Sequence, residues 1–413
     1  MNIVVISTSL VTSDRSMADL ESSELSLLCI NLGYRVKKRV HQNLNQINPS
    51  TYIGKGKIDE VNRLAGMLDV GLIVFNDDIS PSQMKNIQKI LSKGIEVIDR
   101  TGIILEIFEK NAQTNEAKAQ VRLASCKYML PRLTRMWTHL ERQMGGIGAR
   151  AGMGETQIEV DRRLLRREID RLNIKLRTIE NQREIQSKNR RNVSRVSLVG
   201  YTNAGKSSIM NALTGSEVYI KDQLFATLDT TTKRLPIKKG MDIILSDTVG
   251  FIRNLPHDLV ASFKSTLMEA SESDLLLKVF DSSSSNILHE IEVVDTIIKD
   301  LGMDKIPSIV VYNKIDLVRD MNDLLMIKSN YNDGIFISAL QKIKLNNLTD
   351  AIIRELERDF ITISILIPYK DSRILDYVHK NSEILIEKSI DRGIKMTIKG
   401  DKKRLDRLEE YSI

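Results

Sequence analysis

Gly200 to Ser208 reads GYTNAGKSS, which places two glycines, a lysine and a serine in the spacing G-x-x-x-x-G-K-S. Gly200 and Gly205 permit backbone conformations that a Cβ would obstruct. Successive N–H groups can then point inward at a phosphate, aided by the start of the following helix. In that arrangement Lys206 spans the β- and γ-phosphates of a nucleotide and the Ser207 hydroxyl ligates Mg²⁺. Tyr201, Thr202, Asn203, Ala204 and Ser208 complete the candidate loop. An apolar run (RVSLVG) precedes it and a helix-like run (SIMNALTG) follows, the strand–loop–helix context such a loop needs.

A chance match is the competing reading, and three further motifs weigh against it. Asp247-Thr248-Val249-Gly250 follows the strand-like DIILSD. There Asp247 is expected to hold Mg²⁺ through a water and the Gly250 N–H to sense the γ-phosphate. Asn313-Lys314-Ile315-Asp316 ends another apolar run. The Asp316 carboxylate can accept from guanine N1–H and the 2-amino group, donors that adenine lacks in that arrangement, so ATP would leave it unpaired. The Lys314 stem is expected along the base, with Asn313 bracing the phosphate loop. Ser338, Ala339 and Leu340 follow a short strand, IFIS, and an N–H of Ser338-Ala339 is placed for guanine O6. The chemistry implied is binding of GTP and its hydrolysis to GDP and phosphate. Lys206, Thr227 and Gly250 are the catalytic candidates; Ser207 and Thr227 are the metal ligands.

Thr227 comes from DQLFATLDTTTKR, between Lys206 and Asp247. A threonine in this stretch closes over the γ-phosphate and Mg²⁺ and falls away after hydrolysis. Phe225 and Ala226 join the nucleotide-binding candidates beside it, and Thr230, Thr231 and Thr232 are rivals for its role. After Gly250 comes Phe251, whose phenyl ring cannot orient an attacking water as a glutamine amide does. Slow intrinsic hydrolysis follows, with water positioning supplied by a partner or an ion. Asn203 keeps two readings open: a ligand for a monovalent cation such as K⁺, or a side chain that stabilises the loop.

The elements that must carry these motifs alternate strand and helix. In the first hundred residues, strands are expected at Asn2 to Ser7, Tyr34 to Val40, Val70 to Phe75 and Ile95 to Ile98. Helices are expected at Ala18 to Leu32, at Gly54 to Leu68 and from Pro81, a first-turn proline. That order implies a parallel sheet covered by helices. From Asn115 the period turns helical, with Pro131 bending or interrupting the helix. A glycine-rich loop (Gly145 to Glu155) leads into a long basic helix. Its Ile158, Leu165, Leu172 and Ile179 recur every seven residues, with Ile169 and Leu176 as the second seam position, as in an antiparallel helical hairpin. The polar tract from Ser187 to Asn192 is the expected linker. The last fifty residues read as strand, helix, two strands and a helix (KKRLDRLEE).

The predicted architecture is α/β and multidomain. A parallel α/β domain (1–114) carries a basic helical hairpin with a glycine-rich tip (115–192). A P-loop GTPase domain (193–360) and a small α+β domain (361–413) follow. Charge is uneven: residues 115–192 hold 18 Lys+Arg against 9 Asp+Glu, an excess larger than the +7 of the whole chain. A face that binds a polyanion has this look, and so does a solvated helical hairpin. Cys29 and Cys126 are far apart and read as semi-buried thiols in a reducing cytosol. No signal segment, run of 18 apolar residues or lipidation motif is visible, so a cytoplasmic protein without a membrane segment is expected.

Several stretches resemble the HflX family of ribosome-associated GTPases. They are YIGKGKIDEV, VIDRTGIILEIF, NEAKAQVRLASCKYMLPRLTRMW and, most specifically, GGIGARAGMGETQIEVDRR. GYTNAGKSS, LFATLD and DTVGFIRNLPHDLVASFKSTL extend the resemblance through the second half, covering about residues 52–360. Thr230 departs from it, standing where the family pattern has proline. The resemblance implies a ribosome-associated factor, and a monomer is expected. It implies binding of the large ribosomal subunit and its RNA through the amino-terminal domain and hairpin, favoured by GTP. Splitting of stalled or idle ribosomes and hydrolysis stimulated by the subunit are implied as well. The competing expectation is a GTP-dependent RNA-binding switch in ribosome assembly or RNA remodelling, without splitting.

Overall fold

A computed structural model describes the chain except residues 11–14, 134–156, 189–192, 216–223, 226, 228–229, 239–240, 254–269, 319–333, 359 and 402–404. The glycine-rich loop from Gly145 to Glu155, Ala226 and most of the expected linker lie outside the described residues. The chain divides into two compact units.

In the first unit, β1 (Asn2–Leu10), β2 (Arg35–Leu44), β3 (Leu72–Phe75) and β4 (Glu96–Asp99) form a sheet of order β2-β1-β3-β4, parallel throughout. Such strands need crossovers, supplied by α1 (Arg15–Asn31), α2 (Lys55–Met67) and α3 (Pro81–Ile90). Val4, Ile6, Ile73 and Phe75 meet Ile58, Val61, Met84 and Ile87 in one core. The start of α3 is fixed locally. Ser80 Oγ accepts from Gln83 N–H while the Gln83 side chain accepts from Ser80 N–H, and Pro81 sits where no donor is needed.

The sequence reading named no helix directly after β4, yet α4 (Arg100–Asn111) begins there. Asp99 caps it, Oδ1 accepting from Gly102 N–H. Asp99 is fully buried and also accepts from Tyr128 and Arg132, which ties the sheet to the next helix. That helix, α5 (Asn115–Met129), is capped by Thr114 and gives way to a 3₁₀ turn, Leu130–Arg132, as Pro131 removes a donor.

The heptad seam packs as read. On α6 (Gln157–Lys188), Ile169, Leu172 and Leu176 pack with Ala119 and Leu123 of α5, while Leu165 packs with Cys126 and Met129. Rising numbers on α5 meet falling numbers on α6, so the pair is antiparallel. The register is pinned by Arg122 to Glu168, at 2.9 Å. Only the middle of the heptad is buried. Ile174 is exposed, off the stripe. Leu172→Ala should therefore cost the hairpin about 2–4 kcal/mol. Faster hydrogen exchange in α5 and α6, with α1 to α3 unaffected, is the expected readout. Both cysteines are fully buried, and burial pushes each thiol up to about 12, so neither is a reactive thiolate.

In the second unit a six-stranded sheet has the order β10-β9-β8-β5-β7-β6. β5 (Ser194–Gly200), β7 (Met241–Asp247), β8 (Leu275–Asp281), β9 (Ser308–Asn313) and β10 (Ile335–Phe336) are parallel. β6 (Thr231–Lys238), not foreseen from the sequence, pairs antiparallel with β7. α7 (Lys206–Thr214), α8 (Ile287–Asp300) and α9 (Leu345–Leu356) cover this sheet, with apolar side chains buried on both faces. The chain ends in a three-stranded antiparallel sheet, β11 (Phe360–Ile367), β13 (Gly393–Asp401) and β12 (Glu383–Ile390), with α10 (Ser372–Asn381) packed against it. Of the expected final helix, residues 402–404 lie outside the described residues; Leu405 is helical, and a 3₁₀ segment, Asp406–Tyr411, follows, with Leu405 and Leu408 buried in that core and Tyr411 packed against it.

Candidate active site

The motif residues leave the sheet at the carboxyl ends of β5, β7, β9 and the turn after β10, the edge where α/β sheets bind ligands. The loop after β5 can be built only with glycine at its ends. A Cβ on Gly200 would lie 2.1 Å from the Val279 carbonyl oxygen, which is backbone and cannot move aside. Gly205 has φ +90°, and a Cβ there would lie 2.2 Å from Asn313 Nδ2. Asn203 between them is exposed and left-handed at φ 62°, a region asparagine tolerates. α7 then starts without a side-chain cap or an acidic first turn, so its first amides are open to an anion.

Lys206 points back into this loop. Its Nζ donates to the Gly200 and Tyr201 carbonyls at 3.1 and 2.8 Å. Burial depresses its pKa to about 8, against the opposing pull of Asp247. Ser207 Oγ lies 2.5 Å from Asp247 Oδ2 and 2.8 Å from Thr227 Oγ1, and Thr227 is 3.2 Å from the same carboxylate oxygen. Burial raises the Asp247 pKa, opposed first by Lys206. The other carboxylate oxygen, Oδ1, is buried without a hydrogen-bond partner. Two hydroxyls and an under-satisfied carboxylate are hard oxygen donors of the kind Mg²⁺ takes, so the residues fit the ion the motif implies.

Of the four threonines weighed for the switch, the structure brings Thr227 alone to this cluster among the described residues. Thr231 and Thr232 are ladder residues of β6, opposite Asp247 and Ser246. Thr230 Oγ1 is buried without a partner. Phe225, counted with the nucleotide-binding residues, has its ring 2% exposed against Phe108 and its carbonyl bonded to Asn111. Its ring is thus a packing group. Ser208 sits half-buried in the first turn of α7.

The Asp247 motif is keyed to the loop by main-chain bonds. Phe251 N–H donates to Gly200 O at 3.0 Å, and Thr202 N–H to Phe251 O at 2.7 Å. Gly250 is then so close that a Cβ would lie 2.6 Å from Thr202 Cα and 3.1 Å from Lys206 Nζ. Thr248 and Val249 are buried, Thr248 donating to the Leu198 carbonyl at 2.7 Å. The Phe251 side chain joins the core with Val199, Ala270 and Phe280. Its ring is therefore structural, as its chemistry requires.

Asn313 is the tie between the base-side motifs and the loop. Nδ2 donates to Ala204 O and Oδ1 accepts from Ala339 N–H, each at 3.0 Å. One expectation changes here. Ala339 N–H is engaged by Asn313 and Ser338 N–H by Ile343 O, so neither is spare for guanine O6. A buried asparagine oxygen needs a donor and takes the nearest. Lys314, left-handed at φ 61°, directs its Nζ to Asp281 at 2.7 Å, with Cε beside Gly205. Asp281 was missed in the sequence; the signal was a carboxylate closing β8. Asp316 lies on an exposed 3₁₀ turn two residues on, and Leu340 is exposed at 77%.

Comparison with known proteins adds the lineage. Family models described as "GTP-binding GTPase N-terminal", "GTP-binding GTPase Middle Region" and "50S ribosome-binding GTPase" match residues 19–109, 111–190 and 195–314. GTPase HflX of Caldanaerobacter subterraneus subsp. tengcongensis is 42% identical over 95% of this chain and 90% of its own. The chain belongs to the HflX family of GTPases. HflX of Escherichia coli K12 is 39% identical, covering 88% of this chain and 85% of its own. The crystal structure of SsGBP with GDP has 28% identity and a TM-score of 0.49, covering 86% of this chain and 98% of that one. As an HflX GTPase, the protein binds guanine nucleotide in its P-loop domain and hydrolyses GTP to GDP and phosphate. No helix among the described residues is long and apolar enough to cross a membrane.

Proposed function

We propose that this HflX protein binds the large ribosomal subunit in its GTP form, separates stalled or idle ribosomes into subunits, and is released by hydrolysis. The observation carrying the ribosomal part is the outer face of α6. Its inner stripe is used up by the hairpin seam, while Arg162, Arg163, Arg166 and Arg167 are exposed around the buried Leu165. Paired arginines at i and i+1, repeated after four residues, form a cationic face about a helical turn long, suited to phosphates without base selection. The description "50S ribosome-binding GTPase" of the family model over residues 195–314 supports the same partner.

Within the nucleotide site, Ser207 and Thr227 would ligate Mg²⁺ directly and Asp247 through a water. Such an ion neutralises charge on the phosphate oxygens. The protein's own groups do the rest. Lys206 exchanges its two carbonyl partners for the β- and γ-phosphates. Thr227 closes on the γ-phosphate, and the Gly250 N–H is placed against it. Thr202, Ala204, Gly205, Ser208 and the first amides of α7 surround the phosphates. Asp316 and Lys314 hold the base. Because the Phe251 ring lies in the core, no side chain at that position orients the attacking water, and the ribosome is the source of that order. Intrinsic turnover is accordingly slow, and large subunits should raise it.

The test is co-sedimentation with large subunits under GTP, GDP and a non-hydrolysable GTP analogue. Reversing Arg162, Arg163, Arg166 and Arg167 to glutamate should cut subunit binding at least about 100-fold and flatten its salt dependence. An unchanged melting curve guards against a folding effect. Retained affinity with the original salt slope would remove α6 from the interface.

A further inference from the structure

Asp281 closes β8 opposite Asn313 of β9. The chain then turns away, with Ser282 N–H donating to the Asn313 carbonyl at 2.8 Å. The two carboxylate oxygens of Asp281 have separate partners. Oδ1 accepts from the Ser283 N–H at 2.9 Å and from the Ser283 hydroxyl at 2.6 Å. Oδ2 accepts from the Lys314 ammonium at 2.7 Å. The paired side chains are 20% and 23% exposed, so water screens them far less than a pair on the open surface. Lys314 is gripped at its other end as well. Asn313 before it is bonded to Ala204 and Ala339. The Lys314 backbone is left-handed at φ 61°, a conformation that a non-glycine residue keeps where its surroundings enforce it. Between these fixed ends the stem passes the end of the phosphate loop. A Cβ on Gly205 would lie 3.9 Å from Lys314 Cε.

We propose that Asp281 is a positioning residue for the guanine base, acting through Lys314. The inference rests on the reading given above, in which the Lys314 stem lies along the base. A free lysine stem samples many rotamers, and ordering it on binding lowers affinity. Here the ammonium is held by a carboxylate that Ser283 fixes in turn, so the stem is laid out before a nucleotide arrives. The charge of Lys314 is directed at Asp281 rather than at the phosphates, which leaves that task to Lys206. Base and sugar are common to GTP and GDP, so both depend on Asp281 equally. An apolar stem along a purine does not distinguish guanine from hypoxanthine, so that preference stays with Asp316.

The experiment is calorimetric titration of the full-length protein, with Mg²⁺, using GDP, a non-hydrolysable GTP analogue and inosine diphosphate in turn. Asp281→Asn, which keeps the shape and removes the charge, should weaken GDP and the analogue by the same factor. That factor is about three- to tenfold, as for immobilising one rotamer-rich side chain on binding. The ratio of GDP to inosine diphosphate affinity should stay as it was. Lys314→Met, which keeps an unbranched stem and removes the ammonium, should cause a similar loss. The double variant should bind within about twofold of Lys314→Met alone, because residues that act as one unit are not additive. A loss confined to the analogue, a changed ratio against inosine diphosphate, or a double variant in which the two losses multiply would each overturn the proposal. If Lys314→Met leaves affinity intact, the reading of Lys314 itself is wrong. If it weakens binding while Asp281→Asn does not, only the role of Asp281 is wrong. Should the melting curve show that Asp281→Asn does not fold, Asp281→Ser, which keeps a small acceptor beside Ser283, is held to the same outcomes.

Discussion

Lys206→Ala should weaken GTP binding by at least about 100-fold and reduce turnover below detection. The Lys206 side chain is buried, and its ammonium donates to two carbonyls, at 3.1 and 2.8 Å. Neutral acceptors compensate a buried cation poorly, which is why its pKa is driven down to about 8. Two phosphate oxygens in the same place would supply charge-assisted bonds, each worth about 1.5–3 kcal/mol. Losing both gives the 100-fold figure or more. The alanine also leaves the Gly200 and Tyr201 carbonyls without their donor, so GDP should weaken as well. Equilibrium binding of a fluorescent guanine nucleotide checks this. Affinity within about threefold of the unaltered protein would contradict the loop assignment.

Asp316→Asn should lower GTP affinity by about 100-fold or more and admit xanthosine triphosphate. A carboxylate accepts from both N1–H and the 2-amino group of guanine. An asparagine amide accepts from one donor and presents its own NH₂ to the other position, where xanthine carries an oxygen. A site built around hydrogen bonds rejects a mismatched base strongly, because a buried donor or acceptor is left unpaired. The proposed place of Asp316 at the base rests on its neighbour in the motif. Asn313, three residues earlier, is bonded both to Ala204 of the phosphate loop and to Ala339. The turn carrying Asp316 is thereby locked beside the loop. Competition between GTP and xanthosine triphosphate for the variant is the measurement. An unshifted base preference would remove Asp316 from the role.

β1, β3, β5, β8 and β9 were legible because each is a largely apolar run, as buried parallel strands are. The helical hairpin was legible from Leu165, Ile169, Leu172 and Leu176, whose spacing matches their packing on α5. β6 was not legible. TTKRLPIK alternates weakly, holds a proline and pairs at the sheet edge, where burial imposes little pattern. α4 was hidden because Asp99 ends a strand and caps a helix at once, leaving no polar spacer to mark the change.

In the site, residue types and order revealed the chemistry, while the choice among four threonines needed three-dimensional distances. Main-chain partners were beyond sequence altogether. That Ala339 N–H answers Asn313, and that Phe251 stitches its strand end to Gly200, are facts about backbone amides, which every residue has. Phe225 shows the same limit from another side. Its position beside Thr227 suggested proximity to the nucleotide, while its ring packs on Phe108 and its carbonyl accepts from Asn111.

The central claim, a ribosome-splitting factor governed by its nucleotide, meets its most direct test in sucrose-gradient sedimentation of intact ribosomes mixed with the protein. With a non-hydrolysable GTP analogue, the intact-ribosome peak should shrink in favour of the two subunits, with the protein travelling on the large one; with GDP, or with Lys206→Ala, the peak should persist. Intact ribosomes surviving under every nucleotide, while the protein binds free RNA tightly, would contradict the account.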